Sequence, residues 1–115
     1  MSVKIKAFPL GNASSCSCSI GTSAAEVEGD VRNELKEKKL EKYFVHSLGH
    51  GVGLDVHELP SLALRSKDEL KENNVFTIEP GVYIPDFGGV RIEDMVVLRK
   101  KGPEILTQSK YIFSI

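Results

Sequence analysis

The sequence predicts an α+β fold, and two observations carry that reading. A single amphipathic helical segment opens at a capping signal near residue 23, and from residue 75 onward apolar, β-branched runs separated by turn residues describe an antiparallel meander. Helix and meander occupy separate stretches of chain. Composition agrees: 41% hydrophobic and 27% charged residues are ordinary for a globular domain. At 115 residues, such a chain buries roughly 65% of its unfolded surface, enough for a core without disulfide or metal staples.

The elements follow in order. Gly11 to Gly21 is rich in Ser, Cys, Gly and Ala and has no strong period, so it reads as a loop or linker. This sets residues 1–21 apart, as an unmatched leader, from a unit of residues 22–115. Within the leader, Val3, Ile5 and Ala7 alternate with Lys4 and Lys6 as in a short strand. Thr22 or Ser23 offers an N-cap, and Ser23 with Glu26 makes a capping-box pattern. Ala24, Val27, Val31 and Leu35 then share one helical face, with Glu26, Asp30, Arg32, Lys36 and Glu37 expected toward solvent. The helix should run about four turns and end near Lys39. Ser66 to Glu72 suggests a short helical turn. Val75 to Ile84 and Val90 to Leu98 should form a hairpin around Pro85-Asp86-Phe87-Gly88-Gly89, and Glu104 to Thr107 a third strand after Lys101-Gly102-Pro103.

Charge and cysteine usage narrow the function classes. Fifteen Lys+Arg against sixteen Asp+Glu give a formal net charge of -1 and no basic excess, so no nucleic-acid partner is expected. No apolar run approaches the roughly 20 residues that span a bilayer, and Ala7 to Leu10 is too short for a secretory signal and contains Pro9. No membrane partner is expected, and the expected location is cytoplasmic. Cys16 and Cys18, one residue apart, would strain a mutual disulfide and are too few for a zinc site. They read as reduced thiols.

The chemistry concentrates in the histidines and two strand glutamates. His46, His50 and His57 all fall within HSLGHGVGLDVHE. His46 and His50 have the i, i+4 spacing of a helical zinc motif, but Gly49, Gly51 and Gly53 would cost a helix roughly 3 kcal/mol relative to alanine. Alternating glycines instead predict an extended or looping backbone that something must approach closely, a substrate chain or another strand. Glu79 and Glu93 lie on the two hairpin strands and should come within about one residue of facing each other. Val75, Thr77 and Glu79 share a face, as do Arg91, Glu93, Met95 and Val97. Paired carboxylates repel unless a cation lies between them, and Arg91 or a metal could supply it. Histidines and glutamates together make a mixed N/O ligand set suited to zinc, manganese, cobalt or iron(II).

These strings carry a resemblance. HSLGHGVGLDVHELP and FTIEPGVYIPDFGGVRIEDMVVL resemble the C-terminal half of the pita-bread metallopeptidases, the group of methionine aminopeptidase, aminopeptidase P and prolidase. The resemblance covers about Gly21 to Thr107. The EPGVYIPDFGGVRIED wording is more similar to aminopeptidase P and prolidase, which implies a peptide substrate with proline at the second position. The implied fold is a partial pita-bread, an amphipathic helix packed on a curved antiparallel sheet. The implied roles make His50 a metal ligand, Glu79 a ligand beside the attacking water, and Glu93 the carboxylate bridging two metals. His57 matches the histidine that contacts the substrate carbonyl and tetrahedral intermediate, His46 a further substrate-site histidine, and Arg91 the arginine beside the bridging glutamate. The implied cofactors are divalent ions (manganese, cobalt or zinc), two in the family and one or none here.

One departure bears on that count. The family draws two further aspartate ligands from a hairpin before the helix, whereas Asp30 is the only aspartate before Asp55, and no Asp or Glu falls in residues 1–21. The expectation is therefore a truncated or rearranged product with an exposed apolar sheet face and a tendency to form a homodimer. Two alternatives stay open beside the Xaa-Pro peptidase: a catalytically inactive peptide-binding module of the same fold, and a non-functional fragment.

Overall fold

The computed structural model describes residues 18–109. The leader strand read at Val3 to Ala7, together with Cys16, lies outside them. Seven strands and one α-helix are present among the described residues: α1 (Ala24–Glu37), a 3-10 turn (Glu41–Tyr43), β1 (Gly49–Gly51), β2 (Glu58–Leu62), β3 (Val75–Ile78), β4 (Gly81–Ile84), β5 (Gly88–Arg91), β6 (Asp94–Arg99) and β7 (Gly102–Ile105). Five strands form one antiparallel sheet in the order β2-β1-β3-β6-β7, and β4 and β5 form a separate ribbon.

Helix α1 forms where its apolar period places it and begins after Ser23. The capping box does not form, because the Ser23 side chain makes no cap hydrogen bond. Ser23 is instead bridged to Glu69, the Ala24 N–H donates to the Asp68 carbonyl at 2.9 Å, and the Leu70 N–H donates to Thr22. Backbone from a distant segment thus takes up the first helix donor, and the Glu26 N–H that the Ser23 side chain was expected to serve turns to the Ser23 carbonyl at 3.0 Å. The same pairing draws Ser66 to Glu72 into an extended loop, and no helical turn forms there.

Ala24, Val27, Val31 and Leu35 join Leu48, Leu62, Leu70, Phe76, Ile78, Val96 and Leu98 in one core. Strand alternation assigns the two sheet faces. Phe76, Ile78, Val96 and Leu98 point to the helix side, and Thr77, with Met95 as its cross-strand partner, points the other way. Arg32 does not face open solvent as the helical wheel predicts. It is drawn inward by Glu28, which is only 2% exposed.

The hairpin is real but divided. Ile78 pairs with Asp94 and Gly81 with Arg91, so one register continues from β3/β6 into β4/β5 across an unladdered break at 79–80 and 92–93. Pro80 has no N–H to give the ladder, and across the break only its carbonyl is used, by the Ile92 N–H at 3.2 Å. The turn centres on Asp86, whose φ of 58° is left-handed, and this places Glu79 opposite Glu93 in register. The last strand starts two residues earlier than expected, at Gly102.

Exposed large apolar side chains sit mainly in loops and turns, at Val45, Leu54, Val56, Leu64 and Phe87, and at Leu59 and Ile105 on the outer strands. They do not make up the single apolar sheet face that was expected. No helix among the described residues is long and apolar enough to cross a membrane.

The alternating glycines explain how the sheet closes. A Cβ at Gly49 would lie 1.8 Å from the Thr77 carbonyl oxygen, and one at Gly51 would lie 2.2 Å from that of Leu59. The close approach is by neighbouring strands. Gly29, in α1, has nothing within 4 Å of an added Cβ. Gly49→Ala should therefore abolish the cooperative unfolding transition or lower stability by more than about 3 kcal/mol. Gly29→Ala should raise stability by roughly 0.5–1 kcal/mol through helix propensity. Urea denaturation of the two variants checks both signs.

Candidate active site

His50 sits at the centre of β1, and Glu79 immediately follows β3. Their side chains meet: His50 Nε2 is 3.2 Å from Glu79 Oε1. The His50 Nδ1–H donates to the Gly51 carbonyl at 2.8 Å, since a carbonyl can only accept. In the neutral ring Nε2 therefore presents a lone pair to a carboxylate, an arrangement that becomes attractive when a proton or a metal cation lies between them.

Thr77 organises this pair, and the sequence reading passed over it. Its hydroxyl donates to Glu79 Oε1 at 2.9 Å and accepts the His50 N–H at 3.1 Å. The residue is 2% exposed. Its shared strand face with Glu79 was the available signal; what pattern alone could not supply was the neighbouring strand that brings His50 to the same hydroxyl. The Glu79 main chain is held separately, its N–H donating to the Leu48 carbonyl at 2.7 Å.

The remaining residues gather unevenly. His57, in the exposed loop after β1, packs against His50 with ring centroids 4.2 Å apart and the rings tilted by 56°. Arg91 Nε lies 3.9 Å from Glu79 Oε2, with its side chain half exposed. His46 Nδ1–H donates to the Ser47 carbonyl, so the neutral ring accepts at Nε2 from the Tyr83 hydroxyl, 3.2 Å away. Tyr83 is a second residue the sequence reading missed. These groups border an open cavity of about 630 Å³ that His46, His50, His57, Glu79, Arg91 and Leu59 help to line. Glu93 is exposed and is not part of that lining.

For a metal ion the donor set fits in part. His50 has the tautomer that a ligand histidine needs, and its carboxylate neighbour is oriented by a hydroxyl. Among the described residues, however, no three His, Cys, Asp or Glu side chains are close enough to enclose an ion. Of the expected ligands, His50 and Glu79 meet, and Glu93, opposite Glu79 across the break, is exposed.

Residues 12–100 match the model of metallopeptidase family M24. The chain belongs to that family. Over 90 residues it is 48% identical to an Xaa-Pro dipeptidase of Pyrococcus furiosus, covering 78% of this chain and 26% of the relative. The solved prolidase from Pyrococcus furiosus superimposes with a TM-score of 0.80 at 44% identity, covering 84% of this chain and 29% of that one. An X-prolyl aminopeptidase from Caenorhabditis elegans, described as a cytosolic enzyme with a di-nuclear active site, gives 0.60 at 36% identity over 69% of this chain and 13% of that one. The fold is thus part of the pita-bread architecture of the prolidases, and the chain spans about a quarter of the length of the curated relatives it matches.

Replacing Thr77 by the near-isosteric valine removes both hydroxyl contacts. Stability should fall by about 1–3 kcal/mol, measured by urea denaturation, because a buried amide and a carboxylate each lose a partner. Thr77→Ser should recover most of that loss.

Proposed function

We propose that this chain carries the His50–Glu79 portion of a metal-dependent peptidase that cleaves the bond before proline in Xaa-Pro peptides. The observation that carries the reading is the His50–Glu79 contact itself, a preset imidazole lone pair against an oriented carboxylate. The Xaa-Pro dipeptidase and X-prolyl aminopeptidase among the relatives support the substrate class.

In this reading Glu79 takes the proton of the attacking water. Thr77 holds one of its oxygens, and Arg91 Nε lies 3.9 Å from the other. His50 offers Nε2 as a ligand. His57, beside it at the mouth of the cavity, donates a hydrogen bond to the oxyanion as it develops. His46, fixed by Tyr83, borders the substrate. Glu93 would supply a further carboxylate if ligands from the rest of a larger enzyme completed the cage. A divalent ion held there, manganese, cobalt or zinc, would acidify water and polarise the scissile carbonyl. The cytosolic C. elegans relative supports a cytoplasmic location.

The test mixes this chain with the remaining portion of a prolidase relative, adds manganese or cobalt, and follows hydrolysis of an Xaa-Pro dipeptide. Turnover is expected, with a loss of about 10²–10⁴-fold in Glu79→Gln. Lower metal uptake in His50→Ala, by elemental analysis, is expected alongside it. No hydrolysis under any metal would sink the reading.

A second reading, a peptide-binding module without chemistry, is favoured by the absence of three gathered ligands among the described residues. Saturable binding of a proline peptide by chain free of transition metal would support it over the first.

A further inference from the structure

On the opposite side of the sheet from the cavity, α1 carries an ion pair that the chemistry above does not use. Glu28 Oε1 accepts from Arg32 Nε at 2.7 Å, and Glu28 Oε2 accepts the Leu48 N–H at 3.2 Å. The Arg32 guanidinium then spreads over the segment leading into β1. It donates to the Glu41 carboxylate at 3.0 Å, to the Phe44 carbonyl at 3.1 Å and to the His46 carbonyl at 3.2 Å, and it lies 4.5 Å from the Phe44 ring centre. Burial works against the charged form, but hydrogen bonds and charges from Glu28 and Glu41 outweigh it and hold the guanidinium pKa above its usual value.

These contacts fall on alternate residues of one short stretch: Phe44, His46 and Leu48. His46 reaches the cavity, packing edge-on between Phe44 and Tyr83 at centroid distances of 5.0 and 5.6 Å. Leu48, whose N–H is shared between the Leu62 carbonyl at 3.0 Å and Glu28 Oε2 at 3.2 Å, uses its carbonyl to hold the Glu79 N–H. The forked guanidinium fixes several acceptors in one plane, which a lysine ammonium cannot reproduce.

We infer that Glu28 and Arg32 are positioning residues, which set the place of the His46 ring and of the Glu79 main chain by clamping the backbone of residues 44–48. The inference rests on the reading of His46 and Glu79 as site residues. It assigns a role in the site to a helix that touches none of the reacting groups.

The test is ¹⁵N NMR of the histidine side chains in the full chain, with Arg32→Lys, Glu28→Gln, Tyr83→Phe and a control, Leu35→Ala, which weakens the same helix and core but removes none of the hydrogen bonds to residues 44–48. Arg32→Lys and Glu28→Gln should move the His46 Nε2 resonance toward its position in Tyr83→Phe, with loss of the ring contacts between His46 and Tyr83. Leu35→Ala should lower the unfolding midpoint and leave that resonance in place. If both clamp variants lose stability while His46 keeps its wild-type signal, the pair is only structural and the inference falls. Should Arg32→Lys fail to fold, the isosteric Glu28→Gln decides alone. A shifted His46 signal in the clamp variants, with no Xaa-Pro hydrolysis by the wild-type chain complemented as above, overturns the proposed function and leaves the positioning role standing.

Discussion

At Gly49 and Gly51 the main chain of β1 runs so close to its neighbours that a single added carbon would overlap a carbonyl oxygen on either side. That crossing has no sequence-tolerant alternative, because the obstacle is backbone and cannot rotate away. Everything at the cavity depends on it. It brings His50 beside Thr77, and through Thr77 beside Glu79, although these residues are 27 and 29 positions apart. A wider separation of β1 from β3 would leave the hydroxyl unable to serve an amide and a carboxylate together.

The second determinant is the break between the two ladders. Alternate residues along this chain turn their main chains to opposite neighbours, so Glu79, like Val75, falls on the β1 side while Pro80 faces Ile92. The Glu79 N–H bonds to the Leu48 carbonyl, one residue before the strand that carries His50. One sheet face packs apolar side chains against α1, while the other carries the buried Thr77, whose hydroxyl holds the cavity-lining His50 and Glu79. The division lets the core be dry and the site polar within a single layer of strands.

Much of this was legible from residue pattern. The apolar period of α1 located its buried face, the glycines excluded a helix around His50, and the turn at Asp86 set the register that opposes Glu79 and Glu93. Where pattern reading fell short, a distant segment had intervened. Ser23 lost its capping role to backbone near Glu69, and Ser66 to Glu72 became part of that pairing in place of a helical turn. Arg32 read as a surface charge because helical periodicity says nothing about the carbonyls of residues 44 and 46 that turn toward it. Strand β2 carried no alternation strong enough to announce itself, and the register that sets Glu93 opposite Glu79 was legible where its exposure was not. Short-range rules find elements; the partners that elements meet come from chain closure.

Leu48 makes that distinction concrete. Its side chain is wholly buried in the core, while its N–H answers Glu28 and Leu62 and its carbonyl answers Glu79. The two halves of the residue do different jobs, and side-chain substitution perturbs only one of them. A scan of the twenty amino acids would score this position as a packing site, tolerant of isoleucine or methionine. Its part in holding the carboxylate would surface only when the peptide bond itself is altered, for example by an ester in place of the amide.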